Sequence, residues 1–337
     1  MNTRILRAPG ILGATLITLV ALVAGCSGSS TETVTSSSFA RPEVTDVTVA
    51  AIPTADLLGL YIAQDDGFFA QQGLRVSIEK IASSQAIIGD QLAGKVDISA
   101  GSYIPYITAQ AEGADFRILA EASTLREQTR ALVVAANSPV MTVAGLIGKK
   151  IGVNGTNSIG TLLISALLAE HGLSPKKVDL VTDDAGFPVM PQALNEGVWS
   201  AAFLAEPYIT LAEEQYGERV LADFNTGATL DFPIDGYVAT RAWAAKYPAT
   251  AAAFVRAIEE GQEVADTNAP AAQAAMAKAD HLSASVTAIM ALPEFPTGPV
   301  DETRIQREAE DMLQFGLLSP AFSAEVDNGS LIHSMVT

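Results

Sequence analysis

Apolar residues fall in short blocks along the chain, and most blocks are followed by apolar positions at helical spacing. Val47-Thr48-Val49-Ala50-Ala51-Ile52 reads as a strand that Pro53-Thr54 ends. Leu57, Leu58, Tyr61 and Ile62 then recur at helical spacing, and the segment passes through Asp65-Asp66-Gly67-Phe68-Phe69 to a stop at Gly73. Leu74, Val76 and Ile78 alternate as a second strand. Ser83 and Ser84 are N-cap candidates for a helix carrying Ile87, Ile88 and Leu92, which Gly94 closes. Val96 to Ala100 is the next strand, and Gly101-Ser102 leads into a helix ending near Gly113.

The rhythm restarts after Pro139. Lys150-Ile151-Gly152-Val153 is a strand, Asn154 to Ser158 a polar loop, and Ile159 to His171 a helix ending at Gly172. Val178 to Val181 is a strand, Met190 to Glu196 a helix closed by Gly197, and Val198 to Leu204 a strand entering Glu206-Pro207. Beyond Gly236 the pattern is mostly helical: Arg241 to Lys246, Ala249 to Asp266, Ala271 to Ala279 and Glu302 to Phe315. Two similar α/β halves in series are expected, each a largely parallel sheet covered on both faces.

The N-terminus departs from this pattern. Arg4 and Arg7 precede an apolar run from Ile11 to Ala24, and Gly25 and Cys26 follow it. A charged start, a short apolar stretch and small residues at the end make residues 1–25 a signal peptide. Val23-Ala24-Gly25-Cys26 resembles a bacterial lipobox, and Cys26 is the only cysteine in the chain. The expectation is cleavage before Cys26 and its acylation, with diacylglycerol and palmitate, on the extracytoplasmic face of the cell membrane. Two acyl chains suffice for stable anchoring. Residues 26–41, mostly Ser and Thr, carry too little apolar surface to fold and read as a flexible tether.

The chain has 337 residues, of which 20 are basic and 38 acidic, a formal charge of −18. Removing residues 1–25 takes away Arg4 and Arg7 and no acid, so the mature chain carries −20. Such a surface cannot neutralise phosphates, which excludes nucleic acid as a partner. The mean hydropathy is +0.27, yet the other long uncharged stretch, Ala131 to Gly148, is divided by Asn137-Ser138-Pro139. A turn there would strand backbone groups in lipid. The body therefore reads as soluble and rich in buried sheet.

Catalytic signals are sparse. The chain has no dinucleotide or Walker glycine motif, and Gly155-Thr156-Asn157-Ser158-Ile159-Gly160 is one residue out of register for a nucleophile elbow. His171, His281 and His333 have no second ligand at i+4 and read as solvated surface residues; no metal and no cofactor is expected. The loops that follow strands and open helices carry more information: Ser83-Ser84-Gln85, Gly101-Ser102-Tyr103 and Asn154 to Ser158. Helix starts present unpaired N–H groups, and ligands of open α/β sheets collect at such strand ends.

One succession of segments resembles a family. Leu60-Tyr61-Ile62-Ala63-Gln64-Asp65-Asp66-Gly67-Phe68-Phe69 and then Gln72-Gly73-Leu74-Arg75-Val76 are similar to a segment of bacterial solute-binding proteins of ABC importers. The group serves sulfonates, nitrate and thiamine pyrimidine precursors, and thiamine-pyrimidine synthases resemble it. The similarity continues through Leu92 to Asp97, Leu146 to Val153 and Asn195-Glu196-Gly197, to Glu206-Pro207-Tyr208. The resemblance implies a two-lobed type II periplasmic-binding-protein fold, with a hinge between the lobes and a helical C-terminal segment. Lobe 1 would be residues 42–133 plus 236–337, and lobe 2 residues 134–235. Carried onto matching positions, the pocket would use Pro53, Thr54, Tyr61, Ser83, Ser84, Gln85, Gly101, Ser102, Tyr103, Asn154, Thr156, Asn157, Ser158 and Glu206. Where the family has Asp after its Gly, this chain has Trp199-Ser200, and Trp199 reads as a buried strand residue or a stacking platform. The implied protein is a monomer and not an enzyme. It passes a small polar solute, aminopyrimidine-like or sulfonate- or nitrate-like, to a permease and its ATPase. An enzyme on the same fold and a ligand-sensing lipoprotein are the alternatives. Glu206, with no basic residue among the matched positions, favours a solute with N–H donors.

Overall fold

The computed structural model describes residues 40–183 and 185–337. The signal peptide, Cys26 and the tether as far as residue 39 lie outside the described residues. Within them, the strands are β1 Asp46–Ala51, β2 Arg75–Lys80, β3 Ile98–Ser102, β4 Phe116–Thr124, β5 Arg130–Val134, β6 Lys150–Val153, β7 Asp179–Thr182, β8 Ala201–Ala205, β9 Arg219–Asp223 and β10 Pro233–Thr240. They form two five-stranded sheets of the same plan. Sheet 1 runs β2-β1-β3-β10-β4, and sheet 2 runs β7-β6-β8-β5-β9.

Both sheets are mixed, which corrects the expectation of largely parallel ones. In sheet 1, β1 pairs in parallel with β2 and β3, whereas β10 is antiparallel to both β3 and β4. In sheet 2, β6 pairs in parallel with β7 and β8, whereas β5 is antiparallel to β8 and β9. The cause is the absence of a crossover requirement. A parallel neighbour needs a long return, commonly a helix, and so leaves a strand–helix rhythm in the sequence; an antiparallel one does not. The chain passes from sheet 1 to sheet 2 between β4 and β5, and back between β9 and β10.

The helices follow the sequence closely. Helix Ile159–Glu170 is apolar almost all round and correspondingly buried along nearly its whole length. Helix Glu302–Phe315 packs against it, burying Ile305, Ala309 and Met312 as one stripe. Asp301 caps that helix by accepting from the N–H groups of Thr303 and Arg304 at 3.0 and 3.3 Å, and Gly316 ends it in the left-handed region at φ 77°. Helices Arg241–Lys246, Pro248–Thr267 and Ala269–Asp280 complete the C-terminal segment around sheet 1. Among the described residues no helix is long and apolar enough to cross a membrane.

Trp199 lies in the turn just before β8 and is 5% exposed. Its indole covers Gly152 of β6 so closely that a Cβ there would stand 2.4 Å from the ring. The indole is thus a packing element of sheet 2 rather than a surface for a ligand.

Candidate functional site

A narrow cavity of about 10 Å³ lies between the two sheets, the space of about one water. Its walls come from the ends of strands and the starts of the helices that follow them. Ile52 follows β1, Ser84 opens helix Ser84–Leu92, Ser102 ends β3, and Pro105 lies in the first turn of helix Ile104–Ala111. From the other side come Arg130 at the start of β5, Asn154, Asn157, Ser158 and Ile159 after β6, and Phe187; Asp235 of β10 completes the lining.

The centre of this site is a buried charge cluster. Arg130 is 2% exposed, and its Nη2 lies 2.8 Å from Asp56 Oδ2 and 3.3 Å from Asp235 Oδ2. Asp56 Oδ1 also accepts from Ser123 Oγ at 3.0 Å. The guanidinium stands over the rings of Phe187 and Phe203, 5.6 and 5.7 Å from their centres, a favourable placement for a desolvated cation. Burial, reinforced by the charge of Asp56 and opposed by Arg130, pushes Asp235 up to about 7. Several polar atoms on the cavity wall have no hydrogen-bond partner: Arg130 Nε and Nη1, Asp235 Oδ1, Asn154 Oδ1 and Ser84 Oγ. Buried polar groups are satisfied in the great majority of cases, and these five unpartnered atoms are gathered on one cavity wall.

Of the residues expected at a pocket, Ser84, Ser102, Asn154, Asn157 and Ser158 line this cavity. The others stand around it. Ser83 is the N-cap of helix Ser84–Leu92, its Oγ accepting from Ala86 N–H at 3.4 Å. Gln85 Oε1 accepts from Asn157 N–H at 3.3 Å, and Asn157 Nδ2 donates to Thr108 Oγ1 at 3.3 Å, a polar link between the two sides. Gly101 faces Gly236 across the β3–β10 pair, and a Cβ on it would meet Ser84 Oγ at 2.4 Å. Pro53, Thr54, Tyr61 and Tyr103 are buried, and Thr54 Oγ1 and the Tyr61 and Tyr103 hydroxyls have no hydrogen-bond partner. Thr156 is exposed and faces an outer groove near Phe315. Glu206 is buried away from the cavity wall, its carboxylate accepting from Thr210 N–H at 3.1 Å, Thr210 Oγ1 at 2.9 Å and Ala291 N–H at 3.3 Å.

Arg130, Asp56, Asp235 and Phe187 were not among the expected residues. The signal that finds two of them is a single charge in an otherwise apolar run. Arg130 opens Ala131-Leu132-Val133-Val134, and Asp235 interrupts Phe232-Pro233-Ile234 and Gly236-Tyr237-Val238. A lone charge in a buried strand has to be paired.

A second bridge spans the two sides at the rim. Tyr208, opening the helix after β8, donates its hydroxyl to Asp280 Oδ2 at 2.7 Å, and Lys80 at the end of β2 donates to Asp280 Oδ1 at 2.6 Å. The three histidines are exposed, and among the described residues no group of His, Cys, Asp and Glu is arranged to hold a metal ion.

Comparison with known proteins places this geometry in a family. The chain matches the family described as NMT1/THI5 like over residues 54–272. It is 30% identical over 198 residues to a putative aliphatic sulfonates-binding protein of Escherichia coli K12, a match covering 58% of this chain and 59% of that relative. It is also 30% identical over 125 residues to the Saccharomyces cerevisiae 4-amino-5-hydroxymethyl-2-methylpyrimidine phosphate synthase THI11, covering 37% of this chain and 36% of the relative. The chain thus spans less than two thirds of the length of these curated relatives. Among solved structures, a Candida albicans protein exhibiting the generic periplasmic binding protein structural fold superposes with a TM-score of 0.72 at 17% identity, over 87% of this chain and 96% of that one. That likeness shows the fold, and with the family match covering well over half of the sequence, the chain belongs to the NMT1/THI5-like family.

Proposed function

We propose that the chain is a lipid-anchored, extracytoplasmic solute-binding protein that captures a small polar nutrient and delivers it to an ABC importer. The observation that carries this reading is the cavity between the sheets, with unpartnered polar groups contributed by both. A solute larger than a water enters only if the walls separate, and the two strand crossings, residues 125–129 and 224–232, supply a place to bend. In this reading each lobe holds one sheet, so β5 joins the second lobe and β10 the first, and the expected bounds at 133/134 and 235/236 move to the two crossings. The name of the E. coli relative supports a binding role. The permease and its ATPase are the partners in this reading, the protein acts as a monomer, and Cys26 holds it to the membrane.

The binding is non-covalent. The polar wall consists of three serines, two asparagines, Arg130 and Asp235, groups that hold and orient a solute. The similarity to a synthase makes an enzyme the competing reading, and chemistry separates the two. A thermal-shift screen of sulfonates, nitrate, pyrimidines, amines and flavins on the purified chain should find a stabilising solute. At 100 times the dissociation constant, binding adds about 2.7 kcal/mol. Recovery of that solute unchanged supports capture. A solute recovered chemically altered supports the enzyme, and no stabilising solute in any class overturns the reading.

A further inference from the structure

We propose that the cavity selects an uncharged nitrogenous solute, one carrying a carbonyl or ring-nitrogen acceptor beside an N–H donor, held between Arg130 and Asp235, and that it rejects small oxyanions. The proposal rests on the solute-binding reading and names the class of solute.

The first argument is charge. Arg130 is the only basic residue on the described cavity wall, and two carboxylates, Asp56 and Asp235, already face its Nη2. With both ionised the cluster carries one negative charge. A third carboxyl, Glu308, is fully buried on helix Glu302–Phe315 with neither oxygen hydrogen-bonded, and burial, reinforced by Asp235, holds it well above the usual carboxylate range, so it offers the cluster no positive charge. Two further basic side chains are paired with other buried acids: half-buried Arg304 with Glu121, and also with Asp301, and exposed Lys80 with Asp280. A nitrate or sulfonate entering here would add like charge to a desolvated, net-acidic cluster. An uncharged solute adds none.

The second argument is hydrogen bonding. Arg130 Nε and Nη1 can only donate, whereas Asp235 Oδ1, when ionised, and Asn154 Oδ1 can only accept. An oxyanion, which has acceptors alone, would satisfy the arginine and leave both oxygens buried and unpaired. A solute with a donor beside an acceptor satisfies both sides. Sites built to hydrogen-bond a particular N–H or O–H discriminate strongly against analogues that lack it, because the site's own groups are then stranded. Ser84 Oγ, which can donate or accept, adapts to either.

The third argument is topology. Arg130 begins β5 of sheet 2, and Asp235 lies in β10 of sheet 1. A solute that engages both therefore bridges the two sheets, so its recognition and the closing of the walls are one event. An anion gripped by Arg130 can take a donor from Ser84 but leaves Asp235, the charged group of sheet 1, without a partner.

Calorimetry on the purified chain at about pH 8 tests this with cytosine and urea against nitrate and methanesulfonate. Cytosine or urea should bind, and both anions should bind at least about tenfold more weakly. Asp235→Asn should weaken the neutral probe and strengthen nitrate, a crossing of preference that loss of fold cannot mimic. Ser84→Ala should weaken the neutral probe while leaving the charge cluster in place. If the wild type binds nitrate or methanesulfonate more tightly than either neutral probe, the proposal is overturned and the binding-protein reading stands. If neither cytosine nor urea binds, the proposal is also overturned. The binding-protein reading falls only if the wider solute screen finds nothing as well.

Discussion

Replacing Glu206 by glutamine tests the physical account of a buried acid without any knowledge of the solute. Glu206 is 3% exposed, and burial pushes its carboxyl up from 4.5 to about 7, against the pull of the Thr210 and Ala291 hydrogen bonds. Because the folded value lies above the unfolded one, the folded chain holds a proton there that the unfolded chain has already released. The stabilisation this proton provides is complete below the unfolded value, is lost as pH rises through about 7, and is constant beyond. Between about pH 5 and about pH 8.5 the loss comes to about 2.5 kcal/mol, at about 1.4 kcal/mol per pH unit crossed. Glutamine does not titrate. It gives up one acceptor of the three hydrogen bonds at Glu206, a cost of about 1 to 3 kcal/mol that does not depend on pH. Urea denaturation of wild type and Glu206→Gln at both pH values isolates the titrating part. The variant should gain about 2.5 kcal/mol on the wild type between the lower and the higher pH. Asp235 and Glu218, raised to about 7 and about 8 mainly by burial, slope the same way in both proteins and cancel in the comparison. Parallel stability profiles for the two proteins would refute the reasoning.

Removing the Tyr208 hydroxyl by Tyr208→Phe breaks the rim bridge to Asp280. A charge-assisted hydrogen bond contributes about 1.5 to 3 kcal/mol, so affinity for the solute found by screening should fall by about tenfold or more in calorimetry; unchanged affinity would mean that the bridge does not favour the closed form. Gly152→Ala forces a methyl against the Trp199 indole and should cost about 1 to 3 kcal/mol by overpacking, seen as a melting point lower by a few degrees; an equal melting point would contradict the packing role given to Trp199. Cys26→Ser should abolish a diacylglyceryl addition that mass spectrometry detects on the N-terminal peptide from the native host, and an unmodified Cys26 in that peptide would refute the lipid anchor.

The parts of the fold that could be read from the sequence are those with local causes. Helix Glu302–Phe315 announces itself through Asp301, the stripe Ile305, Ala309 and Met312, and Gly316, and the strand–helix alternation marks β1, β2, β3, β6, β7 and β8 to within a few residues. The strands β4, β5, β9 and β10 are held by partners distant in sequence, as when Gly236 of β10 faces Gly101 and Glu121, and no local pattern records such pairing. The same division runs through the candidate site. Ser84, Ser102, Asn154, Asn157 and Ser158 follow from the rule that strand ends and helix starts collect ligands. Arg130 and Asp235 sit inside the non-local strands β5 and β10, so their meeting depends on the topology of both sheets. Glu206 was expected in the pocket from the family resemblance, but the direction of its carboxylate is set by Thr210 and Ala291, the second of them far along the chain.

The central claim is that the two sheets close over a solute without chemistry. Small-angle scattering of the purified chain, with and without the solute selected by the thermal-shift screen, tests it most directly. The account predicts a smaller radius of gyration at saturation, approaching that of the structure described, with the walls drawn together around Arg130 and Asp235 and the solute recovered unaltered. A radius of gyration that stays the same while the solute is bound would contradict it.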